Sequence, residues 1–290
     1  VYLFIDNGKA QLRAATHLWG KVTFETDDML QAEHGKAAKV VSIGPAGEKL
    51  SLISCLMNNR VDAAGRSGLG AVMGSKKLKA VVVKGDRKVP IADIEAANRL
   101  RKEHIAEMRG PFLEEFHKYG TTGHTAASAR NGDTPVKNWG GIGIIDLPDT
   151  SALDREVINA NVESKTGCWR CPAACKGRLK EGAGEYKYPA GIHRPEYETQ
   201  AAFGAICLNN NNEATAMAGY ICDSYGLDTI SAGSIIAFAM ECYEHGIITK
   251  ADTDGIELTW GNHRAMVAML EKMARREGFG DILADGVKVA

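Results

Sequence analysis

The sequence predicts an α+β chain in which a β-rich stretch, residues 1–90, gives way to a mainly helical one, residues 91–290. Two observations carry this. Short runs of β-branched residues bounded by turn formers dominate the first part, and apolar residues at helical spacing dominate the second. Val1–Ile5 and Lys9–Arg13 flank Asp6-Asn7-Gly8, and Asn-Gly accepts the positive φ angles of a hairpin turn. Lys39–Ile43 and Leu78–Val83 read as further strands. Asp93 is placed to cap a helix over 94–108, whose Ile94, Ala97, Leu100 and Ile105 recur at helical spacing. Further helices are expected over 198–208, 212–225, 230–246 and 262–277. The 230–246 segment is apolar nearly all round and so should be buried, with Gly246 ending it. Asn209 to Asn212 read as a polar helix–helix turn. Residues 120–150, dense in Gly with Pro135 among them, read as one long loop.

Composition narrows the function. Among 290 residues, 35 Lys and Arg balance 36 Asp and Glu, so no global field favours nucleic acid or an acidic membrane. No apolar run reaches the ~18 residues of a membrane-spanning helix, so no membrane insertion is expected. Seven cysteines, three of them in one loop, point to metal binding in a reducing compartment, with the cytoplasm as the expected location. Val1 already opens a strand and Ala290 ends without a stop signal, so both ends read as cut from a longer chain.

Cys168-Trp-Arg-Cys171-Pro-Ala-Ala-Cys175 is the most specific feature. Soft thiolates at this spacing select zinc, copper(I) or an iron–sulfur cluster. A structural zinc site usually brings a second Cys or His pair, and none follows. A [4Fe–4S] cluster with a distant fourth ligand fits better: Cys207, Cys222, Cys242 or a residue outside these 290.

Three weaker constellations accompany it. Gly65, Gly68, Gly70 and Gly74 with Arg66 and Lys76 form a glycine-rich run that suits an anion, although its spacing is neither a P-loop nor a dinucleotide fingerprint. Asp223-Ser-Tyr-Gly226-Leu227-Asp228-Thr229 either ends one helix and caps the next or offers two carboxylates to a polar heterocycle. Arg194-Pro-Glu-Tyr-Glu198 either carries two carboxylates that share a side in extended chain, one of which would serve as general acid or base beside a metal, or forms an exposed acidic helix N-terminus. His193 is a further proton carrier to consider.

Taken in order, these residues resemble the tungsten-pterin aldehyde:ferredoxin oxidoreductase family along essentially the whole chain. The resemblance is carried by Ser42–Glu48, Ala63–Lys76, Thr134-Pro-Val-Lys-Asn138, the thiol loop, Pro195–Glu198, Asp223–Ser231 and Arg276–Asp281. It implies the end of a β-rich pterin-binding domain (1–90) followed by a mainly α-helical domain (91–290), an internal fragment of the enzyme. It further implies tungsten or molybdenum held by two pterins, a [4Fe–4S] cluster, and Mg2+ bridging the pterin phosphates. Aldehydes would be oxidised to carboxylic acids, with ferredoxin or another electron-transfer subunit as acceptor. By position, Cys168, Cys171 and Cys175 would ligate the cluster. Ala63, Gly65 and Arg66 would line one pterin and its phosphate; Asp223, Leu227 and Asp228 would hold the other, and Glu198 would accept the proton at the metal.

Several departures matter. The fourth cluster ligand and other family motifs would lie outside the chain, so alone it should not assemble a complete site. Met217 and Tyr220 stand where some members place a Glu-x-x-His pair that binds a bridging iron, so any oligomer would lack that iron. Asp62 stands where an arginine often precedes the Ala-Ala-Gly-Arg run. Two other functions remain open: a related tungsten enzyme reducing an aromatic acyl-CoA, and a non-catalytic iron–sulfur electron relay.

Overall fold

The computed structural model describes all 290 residues. Strands β1 (Tyr2–Asp6), β2 (Lys9–Arg13), β3 (Lys39–Ser42), β4 (Leu56–Asn58), β5 (Asp62–Ala64) and β6 (Ala80–Lys84) form one sheet in the order β2-β1-β6-β3-β4-β5. Only the β1–β6 pair runs parallel. The expected hairpin forms, with φ of 48° at Asn7 and 87° at Gly8. Alternate residues Tyr2, Phe4, Val40, Ala80 and Val82 face a common core, as period-2 burial requires.

Three helices interleave with these strands: α1 (Thr23–His34), α2 (Pro45–Glu48) and α3 (Leu69–Ser75). The sequence reading contains no counterpart to α1. That helix buries Thr23, Thr26, Asp27, Leu30 and His34, a mostly polar face with no apolar period to read.

Beyond residue 90 the chain is helical, as expected: α4 (Ile94–Met108), α5 (Pro111–Tyr119), α6 (Thr125–Asn131), α7 (Gly143–Asp146), α8 (Arg155–Ala160), α9 (Tyr197–Gln200), α10 (Asn212–Tyr225), α11 (Thr229–Glu244), α12 (His263–Arg275) and α13 (Phe279–Leu283). Asp93 caps α4, accepting from Ala96 N at 2.8 Å, although no side chain of α4 is buried. Helix α11 runs through the largest core cluster, and Gly246 follows its end with φ 68°. Asn211 caps α10, while the buried Asn209 amide donates to Phe203 O (3.0 Å) and Thr215 Oγ1 (3.2 Å).

Two expectations need correction. Residues 120–150 are not one long loop: they hold a 3-10 turn (Gly120–His124), α6 and α7. Those elements are too short to display a period, and Ala126, Ala129, Val136 and Leu147 hold them to a small core of their own. The 198–208 helix is α9 followed by a buried π turn over Ala201–Ala205. Backbone amides of Lys137 and Asn138 clamp that turn, donating to Ala205 O and Ile206 O at 3.3 and 3.0 Å.

Two further strands, β7 (Val162–Thr166) and β8 (Lys176–Leu179), pair antiparallel and carry the thiol loop between them. The sheet and the α10–α11 corner are stitched by backbone hydrogen bonds. Cys55 N donates to Gly226 O (2.8 Å) and Asp228 N to Ile53 O (2.9 Å). The approach is so close that a Cβ on Gly44 would overlap the Tyr225 carbonyl.

Candidate functional site

The stitched corner, β5 and the end of the thiol loop enclose a cavity of about 480 Å³, within the range of small-molecule sites. Eight of the ten residues singled out above line it: Ala63, Gly65, Arg66, Cys175, Glu198, Asp223, Leu227 and Asp228. Cys168 and Cys171 do not; they lie exposed on the loop outside.

The glycine-rich run divides its labour. Gly65 faces the cavity, where an added Cβ would meet Asp228 Oδ1 at 3.2 Å. Gly68 needs its φ of 66°, and Gly70 and Gly74 let α3 pack tightly. A Cβ on Gly70 would lie 2.6 Å from Ser54 Oγ, and one on Gly74 would overlap the Gly47 carbonyl. The run is thus mainly a packing device, with ligand access confined to its first turn. Arg66 is largely exposed, its Nε 3.8 Å from Asp228 Oδ2.

Asp228 does what both readings of its motif require. It caps α11, accepting from Ser231 N (3.0 Å), Ser231 Oγ (2.5 Å) and Ile230 N (3.4 Å), and it also lines the cavity. Asp223 projects from the last turn of α10. Burial, then the nearby Asp62 carboxylate, push its carboxyl up to about 8. No protein group hydrogen-bonds that carboxyl, so below about 8 it offers the cavity one carbonyl acceptor and one O–H donor, and above it two acceptor oxygens.

Glu196 and Glu198 do share the cavity, yet not on an extended strand: Glu196 is the N-cap of α9 and Glu198 sits in its first turn. Thr121 Oγ1 donates to Glu196 and accepts from Tyr197 N (2.9 Å), fixing the turn. His193 lines the cavity with Nε2 3.5 Å from Glu196 Oε1 and no hydrogen-bond partner; burial holds its pKa below the usual histidine value.

Lys176 is the cavity residue that sequence reasoning missed. It pairs with Asp62, the position where an arginine was expected, so the cation there comes from a different element. Burial opposes the Lys176 charge, but Asp62 and the Cys168 thiol outweigh it and its pKa is raised. A lone Lys after a cysteine carries no sequence signal.

All seven cysteines are free thiols. Cys207 and Cys222 are sealed in the helical core, where burial pushes Cys207 up to about 12, and neither lines the cavity. No three Cys, His, Asp or Glu side chains stand at single-ion spacing. A cluster asks for something looser, since each thiolate binds a different iron, and the open three-thiol loop suits that donor chemistry. Tyr220 stacks on Phe24 with centroids 5.8 Å apart, and Met217 packs beside it on the core. No helix is long and apolar enough to cross a membrane.

Comparison with known proteins identifies the family. Residues 1–85 match the family described as aldehyde ferredoxin oxidoreductase, N-terminal domain, and residues 97–290 match aldehyde ferredoxin oxidoreductase, domains 2 and 3. The chain is 39% identical to the tungsten-containing aldehyde ferredoxin oxidoreductase of Pyrococcus furiosus, over 99% of this chain and 47% of that protein. Its identity to the Thermococcus kodakarensis protein of the same name is 37%, with the same coverage. A P. furiosus aliphatic sulfonate oxidoreductase, WOR-like subunit, is 32% identical over 99% of this chain and 47% of its own length. Among solved structures, the active-site complex BamBC of benzoyl coenzyme A reductase, with 1,5-dienoyl-CoA, superposes with a TM-score of 0.80. That match has 26% identity and covers 99% of this chain and 44% of that one. The chain spans about half the length of the curated relatives it matches. On these matches, which leave no long stretch of the sequence uncovered, the chain belongs to the aldehyde ferredoxin oxidoreductase family.

Proposed function

We propose that this chain supplies part of the pterin site and three cluster ligands of a tungsten oxidoreductase. That enzyme oxidises aldehydes to carboxylic acids and passes the electrons to ferredoxin or an equivalent protein. One observation carries the reading: residues scattered from Ala63 to Asp228 converge on one cavity beside the last thiol of the loop.

The donor set fits a reduced pterin pair. Asp223 and Asp228 present acceptors to ring N–H groups, and the Asp223 carboxyl has no competing protein donor. Arg66 and the Gly65 backbone, just past the end of β5, suit the phosphates and their Mg2+. Cys168, Cys171 and Cys175 would provide thiolates for a [4Fe–4S] cluster, and the last of them also lines the cavity. When bound, the tungsten–pterin centre and cluster supply the two-electron chemistry.

The chain's own residues handle the protons and the positioning. Conversion of an aldehyde and water to a carboxylic acid releases two protons and two electrons. Glu198, at the start of α9, takes the proton of the attacking water. Glu196 and His193, 3.5 Å apart in the same cavity, lead that proton away. Ferredoxin as partner follows the name of the relatives, and the cytoplasm as location accords with seven unbridged thiols.

A second reading, reduction of an aromatic acyl-CoA, is favoured by the structural likeness to benzoyl-CoA reductase. The Pro195-Glu-Tyr-Glu198 run and the 39% identity to an aldehyde ferredoxin oxidoreductase favour the first.

The test is to purify the full-length protein anaerobically and measure tungsten, molybdenum and iron, the visible absorbance, and viologen-linked turnover of aldehydes and aromatic CoA esters. Tungsten with iron and aldehyde turnover is expected. A protein with neither heavy metal nor cluster absorbance sinks the reading.

A further inference from the structure

Arg194 is the largest fully buried side chain in the protein, at 0% exposure. Its guanidinium donates to Cys175 O (2.5 Å), Lys118 O (3.2 Å) and Asn159 Oδ1 (3.4 Å), while its Nε has no partner. All of these acceptors are neutral, and no carboxylate forms an ion pair with it; the nearest acidic influences are Glu196 and the Cys175 thiol. A buried cation without a counter-ion is costly, and chains rarely retain one unless a negative group completes it. The fold is shaped around this one. Gly120, with φ 65°, has no room for a Cβ because Arg194 Nη2 and Cys175 O fill the space. A second cation converges on the same point, since Lys165 Nζ donates to the Lys118 carbonyl at 2.5 Å.

We infer that Arg194, seconded by Lys165, is the built-in counter-charge and anchor of the thiol loop, holding Cys175 by its carbonyl and raising the potential of the cluster. The inference rests on the cluster reading above. A thiolate-ligated cluster carries net negative charge, which grows on reduction, so a fixed cation beside Cys175 favours the reduced form. The hydrogen bond to the Cys175 carbonyl fixes the backbone from which that thiolate projects. Arg194 is a positioning residue that acts through Cys175.

The test is a potentiometric titration of the cluster by electron paramagnetic resonance, in the full-length protein purified anaerobically, comparing wild type with Arg194→Gln, Arg194→Lys and Lys165→Gln. Arg194→Gln should make the cluster harder to reduce by about tenfold in the reduced-to-oxidised ratio at fixed potential, ~59 mV for one electron. Arg194→Lys should stay near wild type even where its thermal stability falls, which a merely structural role does not predict. Lys165→Gln should shift the midpoint in the same direction by less. Equal midpoints for wild type and Arg194→Gln overturn the inference, as do equal shifts for the Lys and Gln variants. Should Arg194→Gln not assemble, an unmoved midpoint in Lys165→Gln overturns it. A wild-type protein with no cluster signal sinks the proposed function instead.

Discussion

Lys176, the residue after the last thiol of the loop, forms an ion pair with Asp62, which opens the β5 strand 114 positions earlier. This contact joins the starts of β5 and β8, both of which border the cavity. Neither residue is meaningful in the sequence alone, and Asp62 there looks like a lost arginine. Asp62 is about two-fifths exposed, so solvent screens the pair. A double-mutant cycle with Asp62→Asn and Lys176→Met should give a coupling of about 1 kcal/mol by urea denaturation. Additive effects of the two changes would mean the two strand starts are held together otherwise.

Glu198→Gln preserves the shape of the carboxylate but not its basicity. Aldehyde turnover in the full-length enzyme should drop by roughly 10²–10⁴-fold, with tungsten and iron content unchanged. Retained turnover would assign the proton to another group in that cavity.

Asp228 has two duties, and substitution separates them. Asparagine is as good an N-cap as aspartate, so Asp228→Asn should keep thermal stability but weaken cofactor retention, measured as tungsten per chain. Asp228→Ala should additionally cost about 1 kcal/mol through the lost cap. Full tungsten content in Asp228→Asn would leave the residue with its capping duty only.

Asp223 should make the cofactor-free chain pH-sensitive. Its folded pKa, about 8, lies above the ordinary 3.8, so the folded state holds a proton that the unfolded chain has released between those values. The folded state is therefore favoured most below pH ~4 and loses that advantage as pH rises through about 8. Asp223→Asn removes the titration. Its melting temperature should match wild type near pH 4 and exceed it by a margin that widens as pH rises toward 8. A gap that stays constant across this range would contradict a half-buried carboxyl without a protein donor.

Gly74→Ala should cost about 1–3 kcal/mol, because the new methyl overlaps the Gly47 carbonyl and must push α3 off α2. Gly110→Ala, where nothing lies within 4 Å, is the control and should be close to neutral in the same urea titration.

The sequence by itself determined the α+β order, the hairpin at Asn7-Gly8, helices α4, α10 and α11 with their caps, and the thiol loop. These follow from local physics: turn conformations, capping hydrogen bonds, apolar periodicity and ligand spacing act over a few residues and so are written in consecutive letters. Through resemblance it also nominated Ala63, Gly65, Arg66, Glu198, Asp223, Leu227 and Asp228. Only the tertiary structure decided that these line one cavity with Cys175, because their convergence depends on the backbone bonds that tie Cys55 and Ile53 to the α10–α11 corner. It also decided what has no local signature: α1 with its polar buried face, the short helices of 120–150, the Asp62–Lys176 pair, and the buried Arg194 behind Cys175. Each depends on partners tens to hundreds of positions away, which no window of sequence contains.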